Sequence, residues 1–121
     1  FFIYFAIHKA IEFHEMIGME RKQKRLHYLK NYWMEKVKDL PGVKLNTSMH
    51  PKWGCAIGNM GVEGKKPGDI ENFLYEKYRL HVVAISWENI QGIRITPNVY
   101  TTTANLDTLV EGIRSFVKKQ V

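Results

Sequence analysis

The sequence holds a single cysteine, Cys55, in 121 residues. An internal disulfide is therefore excluded, and a reducing, cytoplasmic setting is the expectation. Acidic residues are scarce relative to basic ones: 12 Asp and Glu stand against 18 Lys and Arg, a formal net charge of +6. Such an excess permits nucleic-acid binding. Much of it lies in Arg21-Lys22-Gln23-Lys24-Arg25, ahead of the helical apolar positions Leu26, Leu29, Trp33, Val37 and Leu40. No RNP-type aromatic motif, zinc spacing or GxxG clamp accompanies that run, so it reads as a solvated helix face and nucleic acid is not an expected partner. A non-enzymatic basic α+β module that binds nucleic acid remains the rival from another functional class. Long apolar runs are missing too. Phe1 to Ile7 is interrupted by His8 and Lys9, far short of the roughly 20 residues a membrane span needs, so no membrane partner is expected.

Metal and nucleotide motifs are equally wanting. His14-Glu15-Met16-Ile17-Gly18 begins like HExxH, but Gly18 stands where the second histidine must be. The five histidines, His8, His14, His27, His50 and His81, have no spacing that converges on a metal. Gly58, Gly61 and Gly64 are three apart, which is not a dinucleotide loop. Repeats, low-complexity linkers and a composition break that would mark a second domain are all lacking. The chain opens on Phe1 rather than methionine, so the expectation is a piece of something longer, with the apolar start packing on protein outside it.

What is present reads as one α+β unit. Hydrophobic content of 45% and charged content of 25% are ordinary globular values, and a chain this long can bury roughly 65% of its unfolded surface. Residues 1–39 read as a helical arm, interrupted at Gly18 and stopped by Pro41-Gly42. Residues 43–121 read as the α+β body. Strands are expected over 43–47 and 53–60, a helix from Pro67 carrying Ile70, Phe73, Leu74 and Tyr78, and a strand over 80–85. In the second strand Trp53, Cys55 and Ile57 would face one side, with the small Gly54, Ala56 and Gly58 on the other; Cys55 then reads as a buried hydrophobe, not a reactive thiolate. The expected architecture is a mostly antiparallel sheet of three to four strands with helices on one face.

The stretch Gly92-Ile93-Arg94-Ile95-Thr96-Pro97 holds the strongest chemical signal. Side chains alternate along a strand, so Ile93 and Ile95 point to a core while Gly92, Arg94 and Thr96 point away. Small neighbours leave open space around a guanidinium that is always charged and forked to match a carboxylate or phosphate. Pro97 cannot donate to a ladder, so the strand stops just beyond. A surface ion pair is the plainer reading of such an arginine. After the turn, Leu106, Leu109, Val110, Ile113, Phe116 and Val117 recur at helical spacing behind a Thr102 N-cap, with Asn105 in place of the Glu or Gln of a capping box.

The stretch GIRITPNVYTTTANLDTLVEGIRSFVK resembles the end of class V pyridoxal-phosphate-dependent aminotransferases, in particular the isopenicillin N epimerase-like branch, whose pattern runs G-[VI]-R-[IV]-S-P-x-x-Y-N-T and then an acidic helix start. It departs from that pattern at Thr96, Thr101 and Thr103-Ala104-Asn105, none of which removes the arginine. Upstream, Ala10, Phe13, Ile17-Gly18, Arg25, Leu29, Trp33 and Leu40-Pro41-Gly42-Val43 fit the family's long helix into its small domain. The resemblance implies the small C-terminal domain of a fold-type I enzyme acting on an amino acid, with a cysteine desulfurase or selenocysteine-lyase-like activity as the alternative within the class. It implies pyridoxal 5'-phosphate held by a large domain this chain does not contain, a homodimeric parent, and a fragment inactive by itself, with no catalytic or cofactor-binding residue of its own. On this chain the resemblance gives one role: Arg94 binds the substrate α-carboxylate. Thr96 and Tyr100 are candidates for the same side, weighed against buttressing the turn. Cys55 does not fall in the desulfurase cysteine loop. An isolated chain is expected to self-associate through Phe1, Phe2 and Phe5.

Overall fold

The computed structural model describes residues 2–119. Two helices open the chain, α1 over Phe2–Ile17 and α2 over Met19–Val37. They break at Gly18, whose φ of 88° lies in the left-handed region that a side chain resists. Strand β1 (Val43–Leu45) and β2 (Gly58–Val62) follow, then α3 (Pro67–Tyr78), β3 (Val83–Trp87), β4 (Ile90–Ile95) and α4 (Thr103–Lys118). The four strands form one antiparallel sheet in the order β1-β2-β4-β3. This is the α+β architecture the sequence pattern predicts.

Register fixes the faces. Met60 pairs with Ile93 and Ile93 with Ala84, so these side chains share the core face under the helices. Met60, Ile93, Leu29, Trp33 and Leu74 are wholly buried there. The helical layer lies close: a Cβ on Gly58 would sit 2.5 Å from Trp33 Cζ2, and one on Gly112 would sit 2.6 Å from Leu74 Cδ2. Neither position accepts a side chain without moving its neighbour. All six apolar positions read on α4 are buried. Its cap is complete, because Asn105 Oδ1 accepts from Thr102 N at 3.0 Å while Thr102 Oγ1 accepts from Asn105 N at 3.2 Å. Asparagine thus does the work expected of Glu or Gln.

Several expected boundaries move. The second strand begins at Gly58, not residue 53, and residues 46–57 form a loop. The cause is a residue that periodicity passes over: Lys30, on the buried side of α2, is 1% exposed and donates to the Ser48 carbonyl at 2.9 Å. Gly54 lies against its ammonium so closely that a Cβ would collide with Nζ. The loop wraps this buried charge rather than extending as a strand. Cys55 is consequently exposed, which corrects its reading as a buried strand residue. The third strand shifts to Val83–Trp87 because α3 ends on Arg79 in the left-handed region, φ 55°, and the chain needs Leu80–Val82 to turn back. Helix α1 differs from the other three helices: none of its residues is buried, and Phe2 and Phe5 are 91% and 69% exposed. Phe1, also named as an association point, lies outside the described residues. No helix among the described residues is long and apolar enough to cross a membrane.

Candidate substrate-carboxylate site

The helix-free face of the sheet holds Arg94. Across the ladder Arg94 pairs with Asn59 on β2 and Val83 on β3, one step from the Gly92–Ile85 pair. Its side chain is exposed, while its neighbours Ile93 and Ile95 are 0% and 6% exposed on the reverse face. Among the described residues no acid forms a salt bridge with its guanidinium. The cross-strand Asn59 is otherwise engaged: its Oδ1 accepts from Asn46 Nδ2 at 2.7 Å and its backbone N–H donates to Thr47 Oγ1 at 2.9 Å. Gly92 has no room for a side chain, because a Cβ there would strike the Met60 carbonyl of β2. An always-charged fork therefore stands over a floor of small groups, without a local counter-ion. Such a group favours an incoming carboxylate held by two parallel hydrogen bonds.

The turn that ends β4 is tied down from two sides. Thr101 N donates to the Asn98 carbonyl at 2.9 Å, and Asn98 N donates to Thr101 Oγ1 at 2.9 Å, closing the loop over Asn98–Thr101. Arg25 of α2 then donates from Nη2 to the Thr101 carbonyl at 3.1 Å, with its guanidinium 5.7 Å from the Tyr28 ring centre. Closure of the turn thus falls to Thr101 and Arg25. Tyr100 points outward, 77% exposed. Two lysines of the basic run on α2 also have partners: Lys22 Nζ lies 3.3 Å from His14 Nδ1 and Lys24 pairs with Glu20 at 2.7 Å.

Beside this face is a cleft of about 560 Å³. Thr96 lines it from just past the end of β4, Cys55, Ala56 and Ile57 from the loop, and His14 and Lys22 from the helix junction. The structure brings Thr96 to the cleft, one alternation beyond Arg94 on the same face, and leaves Tyr100 outside it. The cysteine placement escaped sequence reasoning because Gly54-Cys55-Ala56-Ile57-Gly58 mimics a strand's alternation; Pro51 and Gly54, both turn residues, are the signals that point to a loop. Among the described residues no three His, Cys, Asp or Glu side chains gather as metal ligands.

Pyridoxal phosphate does not fit what these residues offer. Lys30 is the buried lysine, but its ammonium donates to the Ser48 carbonyl and does not line the cleft. Residues that hold such a cofactor would have to come from other protein.

No protein-family model matches the sequence, and no curated protein matches it. Solved structures do match by shape. A cysteine desulfurase from Thermococcus onnurineus superposes with a TM-score of 0.79 at 21% identity, over 90% of this chain and 29% of its own. An alanine–glyoxylate aminotransferase from Nostoc sp. gives 0.73 at 14% identity, over 93% of this chain and 30% of its own. A cysteine desulfurase from Escherichia coli gives 0.70 at 13%, over 88% and 28%. At these identities the likeness is one of fold, and the chain spans less than a third of each neighbour's length. The fold that the class V resemblance implies is the fold this chain has.

Proposed function

We propose that the chain is the small domain of a class V pyridoxal-phosphate-dependent enzyme acting on an amino acid, of the epimerase-like branch, and that Arg94 holds the substrate's α-carboxylate. The observation that carries the reading is the exposed, acid-free guanidinium of Arg94 on the helix-free face of the sheet. The sequence pattern around it and the fold shared with an aminotransferase and two desulfurases support it. In this reading the cofactor, bound by a large domain, supplies the electron sink for carbanion chemistry. The chain's own part is to position. A bidentate grip at Arg94 fixes one end of the substrate and sets the direction of its Cα–H bond, converting binding energy into orientation. Small groups at Gly92 and Thr96 leave room beside the guanidinium for that grip.

The exposed apolar residues of α1, Ile3, Phe5, Ile7, Ile11 and Phe13 among them, would then pack on the chain's own large domain, in a homodimeric parent. Transamination, epimerisation and elimination share the carboxylate-holding step, so they are separated by residues outside this chain. A nucleic-acid-binding module is the weaker account, because Lys22, Lys24 and Arg25 already have partners within the fold.

Replacement of Arg94 by lysine, in the enzyme that contains this domain, tests the proposal. Lysine keeps the charge but loses the fork, and truncating one member of a closed charge pair costs about 2–5 kcal/mol. The expected result is a fall in kcat/KM of about tenfold or more, since about 1.4 kcal/mol is one decade, with cofactor absorbance unchanged. Wild-type kinetics in Arg94→Lys would end the assignment.

A further inference from the structure

A second concavity, of about 780 Å³, opens beside β1 and the loop that leads into α3. Arg94 does not line it. Three lysines do: Lys44 on β1, and Lys65 and Lys66 ahead of Pro67. Lys44 pairs across the ladder with Gly61, where the backbone carbonyl of Gln91 approaches so closely that no side chain fits. Lys44 and Lys66 are exposed and Lys65 is half-buried. Elsewhere on the surface Lys9, Lys24, Lys36 and Lys38 each hold a carboxylate. Among the described residues Lys44, Lys65 and Lys66 hold none, although Glu63 lines the same wall. Three positive charges against one negative leave an excess of two, which matches a ligand carrying two or more negative charges.

The remaining wall is polar and has capacity to spare. Asn46 uses Nδ2 on Asn59 and on the Gln91 carbonyl, which leaves its Oδ1 free to accept. Gln91 Oε1 accepts from Ser86 Oγ, which leaves Nε2 free to donate. Asn89, in the exposed Glu88-Asn89 loop of the β3–β4 hairpin, adds a third carboxamide. Lysine ammoniums suit phosphate as mobile point charges. Carboxamides that both accept and donate suit the edge of a base or a sugar hydroxyl. The volume lies in the range of small-molecule sites.

We propose that this cavity binds a phosphorylated small molecule with a hydrogen-bonding body, of the nucleoside diphosphate class. The phosphates lie toward Lys44, Lys65 and Lys66, and the nucleoside toward Asn46, Asn89 and Gln91. Lys44 lies on the same face of the sheet as Arg94 but two strands away, and Arg94 does not line the cavity.

Titration of the ¹⁵N-labelled chain with ADP, pyrophosphate and adenosine at constant ionic strength tests it. ADP is expected to give saturable amide shifts over 42–46, 61–66 and 89–91, with pyrophosphate binding more weakly and adenosine not detectably. The double variant Lys44→Gln, Lys66→Gln changes two exposed residues and keeps the fold; it is expected to raise the Kd for ADP at least tenfold. Arg94→Lys is expected to leave that Kd unchanged, so failure of this site and failure of the carboxylate role are told apart. Shifts that do not saturate, or a Kd indifferent to the lysine variant, would overturn the proposal. Equal affinity for ADP and pyrophosphate would overturn the nucleoside assignment.

Discussion

The two faces of β4 carry opposite chemistry on alternate residues. Ile93 and Ile95 enter a core in which Trp33, Met60 and Leu74 are wholly buried. Arg94 is exposed on the opposite face, and among the described residues no acid forms a salt bridge with it. One face is filled with apolar neighbours, and on the other the Arg94 guanidinium has no salt-bridge partner among the described residues. The difference separates stability from function along a single strand. Substitutions at the buried Ile93 and Ile95 are expected to act through folding, and one at the exposed Arg94 through a ligand.

The comparison is broken most readily by stability measurements. Trp33→Ala removes the largest fully buried side chain, against Gly58. A loss of about 3–5 kcal/mol is expected in urea denaturation. Arg94→Ala, measured in the same way, is expected to stay within about 0.5 kcal/mol of the parent. Losses of similar size would mean that the arginine is part of the core's support and the two faces are not separable.

At the seam where α4 starts, Thr102→Ala removes the acceptor for Asn105 N and half of the reciprocal cap. About 1 kcal/mol is expected to be lost, because the helical layer keeps its buried face. An unchanged Tm would show that Asn105 alone closes the helix end.

The smallest effect is electrostatic and lies on the outer rim of the helical layer. Asp107 of α4 accepts from Lys36 at 2.7 Å and from Tyr32 at 2.8 Å, joining α4 to α2. The Lys36 hydrogen bond, then that of Tyr32, holds the Asp107 carboxyl below its ordinary 3.8. The hydrogen bond to Asp107 likewise holds Lys36 above 10.5. A depressed carboxyl stabilises the fold fully above its unfolded value and loses that contribution as pH falls through the folded one. A raised ammonium stabilises fully below its unfolded value and loses it as pH rises through the folded one. The Tm gap between parent and Asp107→Asn is therefore expected to be constant between pH 5 and 9, roughly, and to close below 3.8. Both groups are exposed, so the gap is small. A gap that persisted in acid would assign it to packing instead.

Much of this division was legible before any coordinates. The helical period of α4 and the alternation around Arg94 each placed side chains correctly, because both are long enough to outweigh a single misfit. Gly18 was readable as a break for the same local reason that its φ of 88° now shows. The stretch 53–57 was not legible. Alternation of Trp53, Cys55 and Ile57 imitates a strand, and what unmakes it is a contact across 18 residues, from Lys30 to the Ser48 carbonyl. A lysine on the buried side of a helix is contrary to polar-out patterning, so no periodicity reveals it. The exposure of Cys55 and the shape of the cleft beside Thr96 both follow from that one buried ammonium. Closure of the turn by Thr101 and Arg25 was hidden similarly, since the Arg25–Thr101 bond spans 76 residues.

The carboxylate role of Arg94 is tested most directly by comparing an amino-acid substrate with its primary amide, in the enzyme containing this domain and in its Arg94→Ala variant. The amide keeps the size and shape of the substrate and loses only the charge that the guanidinium is held to grip. The account predicts that the parent prefers the acid by about tenfold or more in kcat/KM, a difference above 1.4 kcal/mol, and that the preference collapses toward unity in the variant. An acid-to-amide ratio that survives removal of Arg94 would contradict it.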